Sequence, residues 1–240
     1  MAWETPGWQA QAQTARSEVS DVLVQESQRA FMSRVYGWMF AGLAVTGLVA
    51  LFTATNEALL MQVIQWRWGL IIAQLGVVFA LSGLASRLSG PVAAALFLGY
   101  SVLTGLTFSV IFLIYTSASI GNAFLMTAGA FGAMSAFGTL TKKDLSGWST
   151  FLFMGLIGIV IASVIQIFVQ SSMMSFVLAC ASVIVFAGLT AYDTQKLREM
   201  HAATGYSSAA TISIVGALTL YLDFINLFLA LLRLFGNRRD

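Results

Sequence analysis

The chain has 240 residues, 58% of them hydrophobic and only 9% charged. A soluble domain carries about 25% charged residues, so the composition excludes a soluble globular protein and points to the membrane. A formal net charge of +2 gives no nucleic-acid footprint, and a single cysteine, Cys180, excludes an intramolecular disulfide framework.

Residues 1–33 form a polar N-terminal tail carrying Glu4, Arg16, Glu18, Asp21, Glu26 and Arg29. No short apolar core precedes a small-residue cleavage site, so the tail does not read as a signal peptide. Its first ~15 residues have little to bury and are expected to be disordered. "SEVSDVLVQESQRAFMSRVYGW" reads either as an amphipathic lead-in on the membrane surface or as a plain solvated tail.

Residues 34–240 read as one seven-helix transmembrane domain. Seven stretches have the roughly 20 apolar residues that a crossing needs. They lie near 35–54, 69–87, 92–114, 119–140, 149–169, 173–193 and 210–235. The runs are continuous rather than alternating, which argues for helices over strands. Short connections such as "LSGP" make sequential helices antiparallel neighbours. Runs such as "LMTAGAFGAMSAFG" let helix backbones approach closely. Trp66, Trp68 and Trp148 sit at span ends as interfacial anchors. Gln74 and Gln166 are expected to hydrogen-bond between helices.

Lys and Arg set the orientation. Arg16, Arg29, Arg34, Arg87, Lys142, Lys143, Lys196 and Arg198 fall on the side of the N-terminus, which is therefore expected to be cytoplasmic. The other side holds Arg67, with Arg233, Arg238 and Arg239 if the last segment crosses fully. A re-entrant last segment would return those three, but 210–235 is long enough to cross.

Two aspartates stand out. Asp223 lies inside "LTLYLDFINLFLALL", where a carboxylate costs roughly 2.5–3.5 kcal/mol on insertion scales. At helical spacing it shares a small-and-polar stripe with Gly216, Thr219, Asn226 and Ala230. That stripe must face away from lipid, as it would on a last helix surrounded by the others. Asp193, in "GLTAYDTQKL", falls near the end of the sixth span. A helix C-terminus disfavours a negative charge, so a partner is expected, either Arg87 or Asp223. Two carboxylates sharing a site cannot both ionise cheaply and titrate as a unit. Thr190, Tyr192 and Tyr221 lie beside the aspartates as possible hydrogen-bond support. The only histidine, His201, reads as a solvated loop residue.

"GLTAYDTQKL" and "ALTLYLDFINLFLALLRLFGN" resemble the two signature segments of the Bax inhibitor (transmembrane Bax inhibitor motif) family, bacterial inner-membrane branch. "TKKDLSG" at 141–147 and "YSVLTGLTFSVIF" are similar to further segments of that family, and the resemblance runs from about Tyr36 to Asn237. It implies an all-α membrane protein with two three-helix layers around a central C-terminal helix. It also implies a pH-sensitive calcium leak in which Asp193 and Asp223 pair as the gate and Arg87 acts as a latch. The surroundings of Arg87, "LASRLSG", lack the basic cluster of some family members.

The expected function is thus a calcium-permeable leak channel, monomeric, with lipid, Ca2+ and protons as partners. No tightly bound cofactor is expected, only transient Ca2+ at Asp193 and Asp223. Thr219 and Asn226 would add oxygen ligands suited to a hard cation. A second reading is a non-transporting membrane regulator that binds other membrane proteins in stress response or protease quality control. A third, a proton-coupled transporter, lacks the paired broken helices of such folds. No His-Glu-x-x-His, Gly-x-Ser-x-Gly or phosphate loop supports an enzyme. All three lysines lie at span ends, which excludes a retinal site. The aspartate flanks carry no protease signature.

Overall fold

The structure, a computed structural model, describes residues 7–84, 87–204 and 209–239, the side chains of 7–23, 201–204 and 209 excepted. Its elements are α1 (Gly7–Ala54), α2 (Glu57–Gln65), α3 (Arg67–Gly83), α4 (Gly90–Phe108), α5 (Ile111–Ile114), α6 (Ser117–Leu140), α7 (Ser149–Val169), α8 (Ser172–Thr204) and α9 (Ala209–Phe235). Among the described residues there is no strand, only a single bridge between Tyr115 and Arg238. Six helical stretches are long and apolar enough to cross a membrane, and α2 with α3 makes a seventh if that bent pair is one span. The chain is an all-α integral membrane protein.

The N-terminal expectation changes in two respects. Backbone from Gly7 is already helical and runs unbroken into the first span; residues 1–6 lie outside the described residues. Forty-eight residues make a rod of about 72 Å, more than twice the ~30 Å hydrocarbon core. No proline interrupts it. The later half of the lead-in does not lie on a membrane surface, because Phe31, Met32 and Val35 are buried in the bundle.

The second span also differs. Residues 57–65, between the first two expected spans, form α2, with Asn56 capping its first turn by accepting the Leu59 N–H at 3.2 Å. Leu60 and Val63 share its buried side, the i, i+3 spacing of a helix packed on one face. A 73° bend separates α2 from α3. Gln74 donates from α3 to the Leu103 carbonyl and the Thr107 hydroxyl of α4, both at 3.1 Å, the interhelical role expected of it. Gln166 instead donates to the Ser171 carbonyl in the turn after α7, and its Oε1 is buried with no donor among the described residues.

The last helix is the centre of the molecule. In its most apolar window 72% of residues are buried, against 6–39% in the other five. It packs against α1, α4, α6 and α8, while α3 lies on α4 and α7 on α8. Thr211 near its start donates to the Leu88 carbonyl before α4. Just past its end, the Arg239 N–H donates to the Ile114 carbonyl at 2.8 Å and the Asn237 N–H to the Ser119 hydroxyl at 2.9 Å. It therefore runs from the turn before α4 to the turn after α5. The last segment is one unbroken helix, long and apolar enough to cross a membrane.

Glycines set the closest crossings. A Cβ on Gly138 would stand 2.2 Å from the Ala191 carbonyl oxygen, so α6 and α8 touch through backbone there. This is the packing that substitutes for hydrophobic drive in lipid.

Candidate functional site: an aspartate pair beside a cavity

Asp193 and Asp223 meet because α8 and α9 form an antiparallel hairpin. The two residues lie fifteen positions either side of 208, inside the connection between those helices. Asp193 is not at a helix end. The helix continues eleven residues further, to Thr204, which brings Asp193 to the depth of Asp223. Hydropathy ends the span at 193 because "DTQKLREMHAAT" is polar. The backbone goes on because most of those residues are good helix formers with no glycine among them.

The two carboxyl groups line one cavity and interact electrostatically. Asp223 is 4% exposed, and its Oδ2 is buried without a partner among the other described groups. A carboxylate is an acceptor only, so a bond between the two requires a shared proton. A buried polar atom left unsatisfied would cost about 1–3 kcal/mol.

The pair borders a cavity of about 600 Å³ between α7, α8 and α9. Thr219 and Asn226 line it with the aspartates and Tyr192. Thr219 donates to the Val215 carbonyl at 3.2 Å and Asn226 to the Leu222 carbonyl at 2.8 Å. The one donor of Thr219 and one of the two N–H donors of Asn226 are thus spent on the helix, and each side chain still offers the cavity an acceptor oxygen. The stripe read from the sequence does face inward: Gly216 abuts Leu197 of α8, and Ala230 is buried.

Other expected residues go elsewhere. Thr190 donates to the Phe186 carbonyl of its own helix at 2.8 Å. Tyr221 is fully buried on the opposite side of α9, its hydroxyl 2.7 Å from that of Thr46 on α1 and its ring edge-on to Phe97 and Tyr100. Arg87 is exposed in the turn after α3 and makes no ion pair among the described residues. The charged neighbour of Asp193 is instead Lys196, which lies over the Tyr192 ring at 5.4 Å and lines the same cavity. Its signal was present in the sequence as i, i+3 spacing in "YDTQKL". Among the described residues no three His, Cys, Asp or Glu side chains come together as a metal cluster. The site offers a few hard oxygen acceptors and one cation at its mouth.

Residues 28–240 match the family model described as "Inhibitor of apoptosis-promoting Bax1". The chain is 50% identical over 228 residues to the inner membrane protein YbhL of Escherichia coli K12, covering 92% of this chain and 97% of that one. It is 52% identical over 214 residues to a protein of Deinococcus radiodurans, covering 88% and 92%. A Rickettsia prowazekii protein is 41% identical over 218 residues, covering 90% and 92%.

Proposed function

We propose a function on the premise that this chain belongs to the Bax inhibitor family: it is a pH-sensitive, calcium-permeable leak channel of the bacterial inner membrane. The observation that carries the reading is the meeting of Asp193 and Asp223 beside an open cavity, in spans otherwise nearly free of charge. A carboxylate pair within membrane helices, one member buried and the other half-buried, is costly and is usually kept for a role.

With one proton shared, the pair is closed on itself. When the proton leaves, two negative charges face the cavity with the oxygens of Thr219 and Asn226. Ca2+ takes six to eight oxygens, so so small a set holds it weakly and lets it pass. The groups facing the pair are Lys196 and Tyr192 from α8, while α7 contributes only the hydroxyls of Ser149 and Thr150. Arg87 works as a latch only in a conformation that brings the turn after α3 to the pair. In the arrangement described here Lys196 is the cation at the mouth.

Liposomes loaded with a calcium dye test this. Flux through wild type should depend on pH, and Asp223→Asn should abolish that dependence. Unchanged flux and pH profile in Asp193→Asn and Asp223→Asn would sink the reading. A second reading, a regulator that docks other membrane proteins, is favoured by the length of α1 beyond the bilayer. Deleting residues 1–23 should leave a leak intact and abolish a docking role.

A further inference from the structure

A second cavity, about 360 Å³, lies further along the same three helices toward the end of α9. Helix α7 packs on α8 but barely touches α9, so a groove stays open between them, floored by α8. Val160, Val164 and Ile167 of α7 wall one side, each more than half exposed. Leu229 and Arg233 of α9 wall the other. Arg233 is exposed and makes no hydrogen bond or ion pair among the described residues. No carboxylate lines this groove.

An arginine near the end of a membrane helix is costly unless its charge meets an anion or water at the interface. Arg233 lies two residues before the end of α9, about 3 Å of rise, hence at headgroup depth. Its planar fork suits the oxygens of a phosphate. Below it α7 walls the groove over about three turns with Leu156, Ile159, Val160, Val164 and Ile167, interrupted only by Ser163. Charge above and hydrocarbon below is the pattern of a phospholipid. We propose that the groove between α7 and α9 is a binding site for one anionic phospholipid, its phosphate on Arg233 and an acyl chain along Val160, Val164 and Ile167. This site is independent of the aspartate reading.

Native mass spectrometry of the full chain, with phosphatidylglycerol or phosphatidylcholine supplied, tests the proposal. Wild type should retain one phosphatidylglycerol in preference to phosphatidylcholine. Arg233→Gln should lower that retention roughly fivefold, the scale of one basic residue at a lipid surface. Arg233→Lys should keep most of it, and Val164→Trp should lose it by filling the groove. Arg67→Gln, which removes another exposed cation, should behave as wild type. Thermal unfolding should rise with phosphatidylglycerol in wild type but not in Arg233→Gln, and inorganic phosphate should give no rise. Equal retention by wild type and Arg233→Gln would overturn the proposal, as would an equal loss in Arg67→Gln. The same rise with phosphate alone would overturn it too. A dimer that Val164→Trp dissolves would place a second copy in the groove instead.

Discussion

At the scale of single residues, the sequence does not say which of several similar glycines matters. "GAFGAMSAFG" holds Gly129, Gly132 and Gly138 on one helix, and all three read as small packing residues. The structure separates them. A Cβ at Gly138 runs into the Ala191 carbonyl, whereas one at Gly129 meets nothing within 4 Å. Gly138→Ala should therefore destabilise the protein by about 1–3 kcal/mol through forced overpacking. Gly129→Ala should be neutral or stabilising by up to about 1 kcal/mol. Thermal unfolding in detergent reads both, and equal shifts would contradict the crossing described. Asp144, in the exposed connection between α6 and α7, offers a titration outside the spans. Its carboxylate accepts the Ser146 N–H at 2.8 Å. Hydrogen bonds from the Ser146 side chain and backbone hold it below the usual 3.8. A depressed carboxyl stabilises the turn above its ordinary value and loses that effect as pH falls through the folded one. Amide exchange at Ser146 should be slower in wild type than in Asp144→Ala at pH 5–7, a difference that persists at pH 3.8 and vanishes only as pH falls through the lower folded value.

At the scale of elements, the apolar runs gave the spans almost whole, because a bilayer demands length and hydropathy and little else. What they missed were helices that leave the hydrocarbon. The extensions of α1 and α8 are polar, and hydropathy is silent about them even where helix propensity is not. The extension of α8 has a use beyond setting the depth of Asp193. Gln195 donates to the Lys143 carbonyl at 3.0 Å and accepts the Leu145 N–H at 2.8 Å, and Arg198 donates to the Thr139 carbonyl. The polar end of α8 thus clamps the connection between α6 and α7. Two side-chain bonds at about 1 kcal/mol each give an expected loss of about 1–2 kcal/mol in Gln195→Ala. Hydrogen exchange should rise locally at 141–146 with the spans unchanged. A uniform rise across the protein would mean that Gln195 supports the whole bundle.

At the scale of the molecule, the residues alone left Asp193 two partners, Arg87 or Asp223, and the pairing with Asp223 came from the family resemblance of the two motifs; the antiparallel hairpin puts these equidistant residues at one depth. The latch was not legible, since nothing local fixes where an arginine in a turn points. The path of the last helix was also undecided in sequence, because charge and length pulled opposite ways: three arginines at its end argued for return, and twenty-six residues argued for crossing. Backbone pairing ties the chain end to the turn after α5, with Thr116 N–H donating to Asn237 and Arg239 N–H to Ile114, which argues for crossing. The end of the chain and the turn after α5 must then share one face of the membrane. The turns at 88–89 and 141–146 must share the other. Single cysteines placed in a Cys180→Ala background test this with an impermeant thiol reagent. Residues 118 and 238 should label from the same side, and residues 89 and 144 from the opposite one. The N-terminal end of α1 should group with 89 and 144, because α1 and α4 both end on the face where α9 ends. Labelling of 238 together with 144 would return the last helix to a re-entrant path. It would also remove the common depth of Asp193 and Asp223 on which the gate depends.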